Sequence, residues 1–155
     1  MRKLWTYLLA LTYLGLLLTG CTGLSGRSMK EPAGYDVYPI GYVRKTKDRT
    51  RIVLKEEYEP GLLRMEQQSY IWVLWWFDRN DTPEKRSILQ VHPRGNPDNP
   101  LTGVFATHSP VRPNLIAMTR CRIISVKDNV IEIESIDAFA DTPVLDIKSA
   151  SGGPS

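Results

Sequence analysis

Between Gly103 and Thr119 the chain reads GVFATHSPVRPNLIAMT, and this stretch gathers most of the side chains suited to hold a ligand. Pro110 and Pro113 fix the backbone around Arg112, and Asn114 tolerates the turn conformations that follow. A stiff loop presenting a guanidinium suits a carboxylate, because the planar fork bonds both oxygens at once. The same residues also fit a proline-stiffened crossover with Arg112 paired to a structural acid such as Asp146. On the residues alone both readings stand. A second stretch, Asp141 to Lys148 (DTPVLDIK), is a turn leading into a strand. Asp146 and Lys148 stand two apart there, share a face, and can pair with each other.

Other chemistries lack their residues. The chain has no glycine-rich phosphate loop and no nucleophile elbow, since Ser109 stands between His108 and Pro110. His92, His108 and Cys121 lack the spacing of metal ligands, so no metal site is expected. The basic run Arg44 to Arg51 (RKTKDRTR) reads as a solvated hairpin connection, with an anionic partner as the alternative.

The elements that must position these residues read mostly as strands. Tyr35 to Arg44, Thr50 to Leu54, Tyr70 to Phe77, Ser87 to Val91 and Pro143 to Ile147 carry strand patterns. Cys121 to Ile136 predicts a hairpin, with Ile131 and Ile133 alternating with Glu132 and Glu134 and with Asp128-Asn129 at the turn. Cys121 falls in that alternation and reads as a buried, inert thiol. Pro60 begins one expected short helix in EYEPGLLRM. YIWVLWWF is apolar on both alternating faces, which fits a barrel strand whose outer side is covered by a helix or a partner subunit. The expected fold is therefore all-β, a small barrel with one or two short helices.

The N-terminus carries an export pattern. Arg2 and Lys3 precede an apolar run from Leu4 to Leu18, broken by Thr12 and Gly15, that ends in Leu18-Thr19-Gly20-Cys21. That run has the length of a signal-peptide core, and the ending is the sequence a lipoprotein signal peptidase cuts. The expected organisation is a signal over residues 1–20, a linker over 21–34, a barrel domain over 35–148 and a tail over 149–155. Lipid on Cys21 would make the product a membrane-anchored lipoprotein on the extracytoplasmic face. A plain membrane helix, or translation from Met29, is the alternative. The chain's formal charge of +3 falls to about +1 once Arg2 and Lys3 leave, which gives no overall case for nucleic acid. Cys121 would then be the one remaining thiol, with no internal disulfide open to it.

In order along the chain, PIGYV, SYIWVLWWF, HPRG, GVFATHSPVRPN and TPVLDIK resemble the TsaA-like (TrmO) family, over roughly Tyr38 to Lys148. The resemblance implies a small β-barrel that binds S-adenosylmethionine near a homodimer interface, within the barrel and between the proline loop and the acid-bearing turn. Characterised members are tRNA N6-methyltransferases acting on threonylcarbamoyl-adenosine. Carried over by position, the cofactor would meet Asp78, Arg79, His108, Arg112, Asn114, Met118, Asp141, Thr142, Pro143, Val144 and Asp146. The family loop reads ATRSPxRPNPIGLS, whereas here His108, Leu115 and Ala117 replace arginine, proline and glycine. Phe77-Asp78-Arg79 stands for Phe-His-Gln, Tyr70 for a histidine, Ala140-Asp141 for Asp-Gly, and Ser149-Ala150 follows Lys148 in place of Pro-Tyr. Replacing arginine with His108 removes a permanent charge. The function implied is methyl transfer, with tRNA as partner only for a cytosolic protein. The alternative is a catalytically silent lipoprotein module that binds a small ligand or a protein.

Overall fold

The computed structural model describes residues 34–150, so the signal segment, Cys21, most of the linker and residues 151–155 lie outside the described residues. Among the described residues eight strands form: β1 (Gly41–Lys45), β2 (Thr50–Leu54), β3 (Tyr70–Trp76), β4 (Gln90–Val91), β5 (Thr102–Gly103), β6 (Ile116–Lys127), β7 (Val130–Ile133) and β8 (Pro143–Ser149). Six of them close a barrel in the order β1-β2-β7-β6-β3-β8, while β4 and β5 pair separately.

The two-residue period of the pleat decides what fills the barrel. Ile71, Val73 and Trp75 of β3 point inward and are buried, as are Val43, Ile52, Ile131, Ile133 and Val144 from neighbouring strands. Side chains therefore pack the lumen, as expected for a small barrel. The intervening residues Tyr70, Trp72, Leu74 and Trp76 are only half-buried, so the outer face of β3 is not covered as its apolar character predicts. β6 pairs with β3 from Ile116 to Arg122 and with β7 from Ile123 to Lys127, with a register shift between Ile123 and Ser125. Such a bulge bends one long strand around the barrel. Its hairpin turn forms as expected, with Asp128 at φ 51° and Asn129 Nδ2 donating to Leu54 O at 2.6 Å.

Several expected boundaries move. The first strand begins at Gly41 rather than Tyr35, and Tyr35, Val37 and Tyr38 are exposed. The expected short helix in EYEPGLLRM forms as a 3-10 helix over Glu56–Leu62. Pro60 inside the segment removes a backbone donor, and Gly61 lowers helix propensity further. The Ser87 to Val91 strand shrinks to Gln90–Val91. β8 continues to Ser149, and the Ala150 N–H just beyond it donates to Tyr70 O at 3.1 Å. Among the described residues no helix is long and apolar enough to cross a membrane.

Closure depends on one glycine. Gly41 pairs with Leu54 on β2 and with Val144 on β8. A Cβ at Gly41 would lie 2.4 Å from Val53 O and 2.8 Å from Leu54 Cα, both backbone atoms that cannot step aside. Gly41→Ala is expected to destabilise the fold by about 1–3 kcal/mol through this overpacking, read as a lowered denaturation midpoint. An unchanged midpoint would mean that β1 shifts freely.

Candidate functional site

The loop of residues 104–115 is pinned at both ends by burial. Val104 and Leu115 are fully buried, Val104 N–H donates to Leu89 O at 2.9 Å, and Phe77 N–H donates to Leu115 O at 2.8 Å. Between these anchors Thr107 N–H reaches Val104 O, and Ser109 N–H reaches Thr107 Oγ1 at 3.2 Å. The prolines supply the remaining stiffness.

Beside this loop, at the meeting ends of β3 and β6, lies a cleft of about 450 Å³ whose walls include Trp75, Phe77, Phe105, His108, Arg112, Met118 and Asp137. A second hollow of about 260 Å³ shares Trp75, Phe77, His108 and Asp137 with it and adds Asp78, Arg79, Pro110 and Phe139. The two are lobes of one site. Its size falls in the range of about 300–1,000 Å³ usual for small-ligand pockets.

A hydrogen-bonded relay sets the floor. The Trp75 indole N–H donates to Thr119 Oγ1 at 3.0 Å, and the Thr119 hydroxyl donates to Asp137 Oδ1 at 2.6 Å. Asp137 is thus held as an acceptor, suited to a cation or an N–H donor. The Trp75 and Phe77 rings meet edge to face at a centroid distance of 4.7 Å. In the smaller lobe the Arg79 guanidinium lies 3.9 Å from the centroid of the Phe139 ring. Arg112, half-buried, donates to Thr107 O at 3.4 Å, a long bond that leaves other N–H donors for a ligand. The site therefore combines aromatic walls, a cationic fork and a fixed carboxylate.

Of the residues carried over from the family pattern, His108, Arg112 and Met118 line the larger lobe, and Asp78, Arg79 and His108 the smaller. Asn114 is exposed and lines neither lobe. Arg112 does not pair with Asp146, which instead bonds Lys148 at 2.7 Å, the pairing that their spacing suggests. A register shift places Leu74 opposite Asp146 but Trp75 opposite Val144. This bulge turns Val144 and Ile147 toward the core and sends Asp146 outward beside Lys148. Asp146 also borders a separate hollow of about 310 Å³ with Ile40, Leu54 and Leu62. Thr142, just before β8, is buried and Pro143, its first residue, is half-buried, and neither lines either lobe. Asp141 adopts φ 67° where the family pattern has glycine, and its carboxylate pairs with Arg44 at the surface. The expected binding space inside the barrel is filled, and the open space lies at its end.

Sequence reasoning misses Asp137, Phe105 and Phe139 as site residues, and it places Trp75 and Phe77 only in a barrel strand. The available signal is SIDAF, an acid and an aromatic directly after the clear hairpin.

Cys121 is buried, and its thiol is pushed up to about 12, first by desolvation and then by the negative charge of Asp137. The thiolate is the reactive form. At pH 8 the Cys121 peptide is expected to stay unalkylated in the folded protein and to react rapidly after denaturation, as read by mass spectrometry. Rapid native labelling would contradict this burial.

A family model for the tRNA-methyltransferase O N-terminal domain matches residues 36–151. The chain is 46% identical over 114 residues to a probable S-adenosyl-L-methionine-binding protein of Methanocaldococcus jannaschii, covering 74% of this chain and 90% of that one. It is 40% identical over 90 residues to the human tRNA (adenine(37)-N6)-methyltransferase, covering 58% of this chain and 20% of the human protein. A solved structure of TrmO from Pseudomonas aeruginosa superposes with a TM-score of 0.57 at 26% identity, covering 75% of this chain and 55% of that one. The chain thus spans less than two thirds of the length of that structure and of the human enzyme.

Proposed function

The chain belongs to the family of tRNA-methyltransferase O N-terminal domains, and we propose that its two-lobed cleft binds S-adenosylmethionine for methyl transfer. The observation that carries this reading is the convergence of Arg112, the Trp75–Phe77 wall and Asp137 on one cleft. The residues present fit the chemistry of the group. Arg112 would hold its carboxylate through a two-toothed contact. The exposed ring of Phe105 and the half-buried ring of Phe77, backed by buried Trp75, offer apolar surface to its adenine. Asp137, an acceptor held by Thr119, would face its positive charge. When bound, S-adenosylmethionine supplies an electrophilic methyl group on a cationic sulfur.

The protein's own contribution is placement. The loop stiffened by Pro110 and Pro113 fixes Arg112, and the relay from Trp75 through Thr119 fixes Asp137. Holding two reactants in line removes much of the entropic barrier to their reaction. By analogy with the human relative's name, the acceptor class we propose is the N6 position of an adenine in tRNA. A second copy of the chain would cover the half-exposed outer face of β3. It would also cover Met118, which is about half exposed and forms one lip of the cleft.

The N-terminal pattern supports lipidation at Cys21 and a place on the extracytoplasmic face, where tRNA is absent. Palmitate labelling decides between the two compartments. Label present in the wild type and lost in Cys21→Ala makes the chain a lipoprotein and directs the search to another acceptor. An unlabelled cytosolic protein keeps tRNA as the acceptor.

Calorimetry of the full chain in mild detergent is expected to give saturable micromolar binding of S-adenosylmethionine. Arg112→Ala is expected to weaken it by about tenfold or more, the cost of losing a charge-assisted pair. His108→Arg is expected to tighten it. Millimolar or no binding by folded protein would sink the methyltransferase reading and leave a barrel that serves another ligand.

A further inference from the structure

One short helix, α1 (Pro83–Arg86), sends its two cations to two different walls of the cleft, although neither lines it. Thr82 caps it, accepting from Lys85 N–H at 3.3 Å. Lys85 Nζ donates to Arg79 O at 3.1 Å and to Asn80 Oδ1 at 3.0 Å, within the turn that carries Asp78 and Arg79 to the smaller lobe. Arg86 faces the other way. Its Nε donates to Asp81 Oδ1 at 2.8 Å and its Nη1 to Pro113 O at 3.0 Å, the carbonyl next along the chain from Arg112.

The base of this contact is itself fixed. Trp76 Nε1 donates to Asp81 Oδ2 at 3.1 Å, so each Asp81 oxygen has its own donor. The Arg86 guanidinium also lies 5.3 Å from the centroid of the Trp76 ring. Arg86, then Trp76, holds the Asp81 carboxyl below its ordinary range, which keeps the pair charged. A four-residue helix is too short to persist on its own, so these side-chain bonds hold it and what it touches. An exposed ion pair contributes little to global stability. The effect of the cluster is therefore local, and its locality points at the loop.

We propose that Arg86 is a positioning residue: seated on Asp81 and Trp76, it grips Pro113 O and so sets where the Arg112 guanidinium stands at the cleft. For its consequence in binding, this rests on the reading that Arg112 holds the carboxylate of S-adenosylmethionine. The grip itself does not.

The test has one arm without ligand and one with it, both on the full chain in detergent micelles. In the first, backbone amide order parameters are measured for Val111, Arg112 and Asn114. They are expected near about 0.85 in the wild type and below about 0.6 in Arg86→Ala, with Ile71 and Val73 of β3 unchanged. Arg86→Lys is expected to loosen the loop too, because an ammonium lacks the fork that reaches Asp81 and Pro113 together. This variant replaces Arg86→Ala if the latter does not fold. A loop unchanged in the variant, or a β3 that loosens equally, overturns the proposal.

In the second arm, calorimetry with S-adenosylmethionine measures the effect of Arg86→Ala twice, in the wild-type background and in the Arg112→Ala background. Removing Arg86 is expected to weaken binding about tenfold when Arg112 is present and less than about twofold when it is not, the coupling that shared action produces. Two losses that simply multiply would overturn the route through Arg112. A wild type that does not bind S-adenosylmethionine would refute the proposed ligand, while the order parameters alone would still decide the grip.

Discussion

A buried indole N–H must find an acceptor, and that requirement at Trp75 organises the end of the barrel where the cleft opens. Trp75 lies on the inward face of β3, pairs with Ala117 on one side and Val144 on the other, and is almost wholly buried. Thr119, on the adjacent strand, meets the need and passes the bond on to Asp137. Leaving such a donor unpaired would cost about 1–3 kcal/mol. The hydroxyl that answers the core tryptophan thereby points its own proton at Asp137, which orients the carboxylate at the cleft. Core packing and site chemistry share the same three residues.

The barrel is readable from the sequence because its signals are local and periodic. YIWVLWWF, with every second residue buried, and the Ile131–Ile133 alternation are legible without knowing what they pack against. The Asp146–Lys148 pair is readable for the same reason, since two positions apart on a strand means one face. The side on which that face lies is not readable. It is set by the register shift between β3 and β8, and no short window of sequence records a bulge whose partner strand is remote. Asp137 and Phe139 escape for a related reason, because β7 must first fold back before either reaches the loop. Pro60 and Gly61 conceal 3-10 turns behind a helix-like start.

The departures from the family pattern have different structural weights. Leu115, in place of proline, is fully buried and its carbonyl binds Phe77, so the loop keeps its anchor by packing instead of ring rigidity. Asp141, where the family pattern has glycine, adopts the left-handed conformation that glycine favours, and its carboxylate pairs with Arg44, outside the lining of either lobe. His108, by contrast, stands on the wall common to both lobes. Of these three it is the one that changes the lining of the cleft.

The six-strand ring is completed by chain segments that translation separates widely: the joint between Gly41 and Val144 forms only after β8 has been made. Until then β1 and β3 both present unpaired backbone edges, the kind of surface that recruits neighbouring chains. Long-range pairing of this sort is slow to form because the intervening chain must first give up its freedom. A nascent or C-terminally clipped chain would therefore lose more than the seven residues of β8. It would carry two adhesive borders at once, making the last strand the fold's safeguard against aggregation.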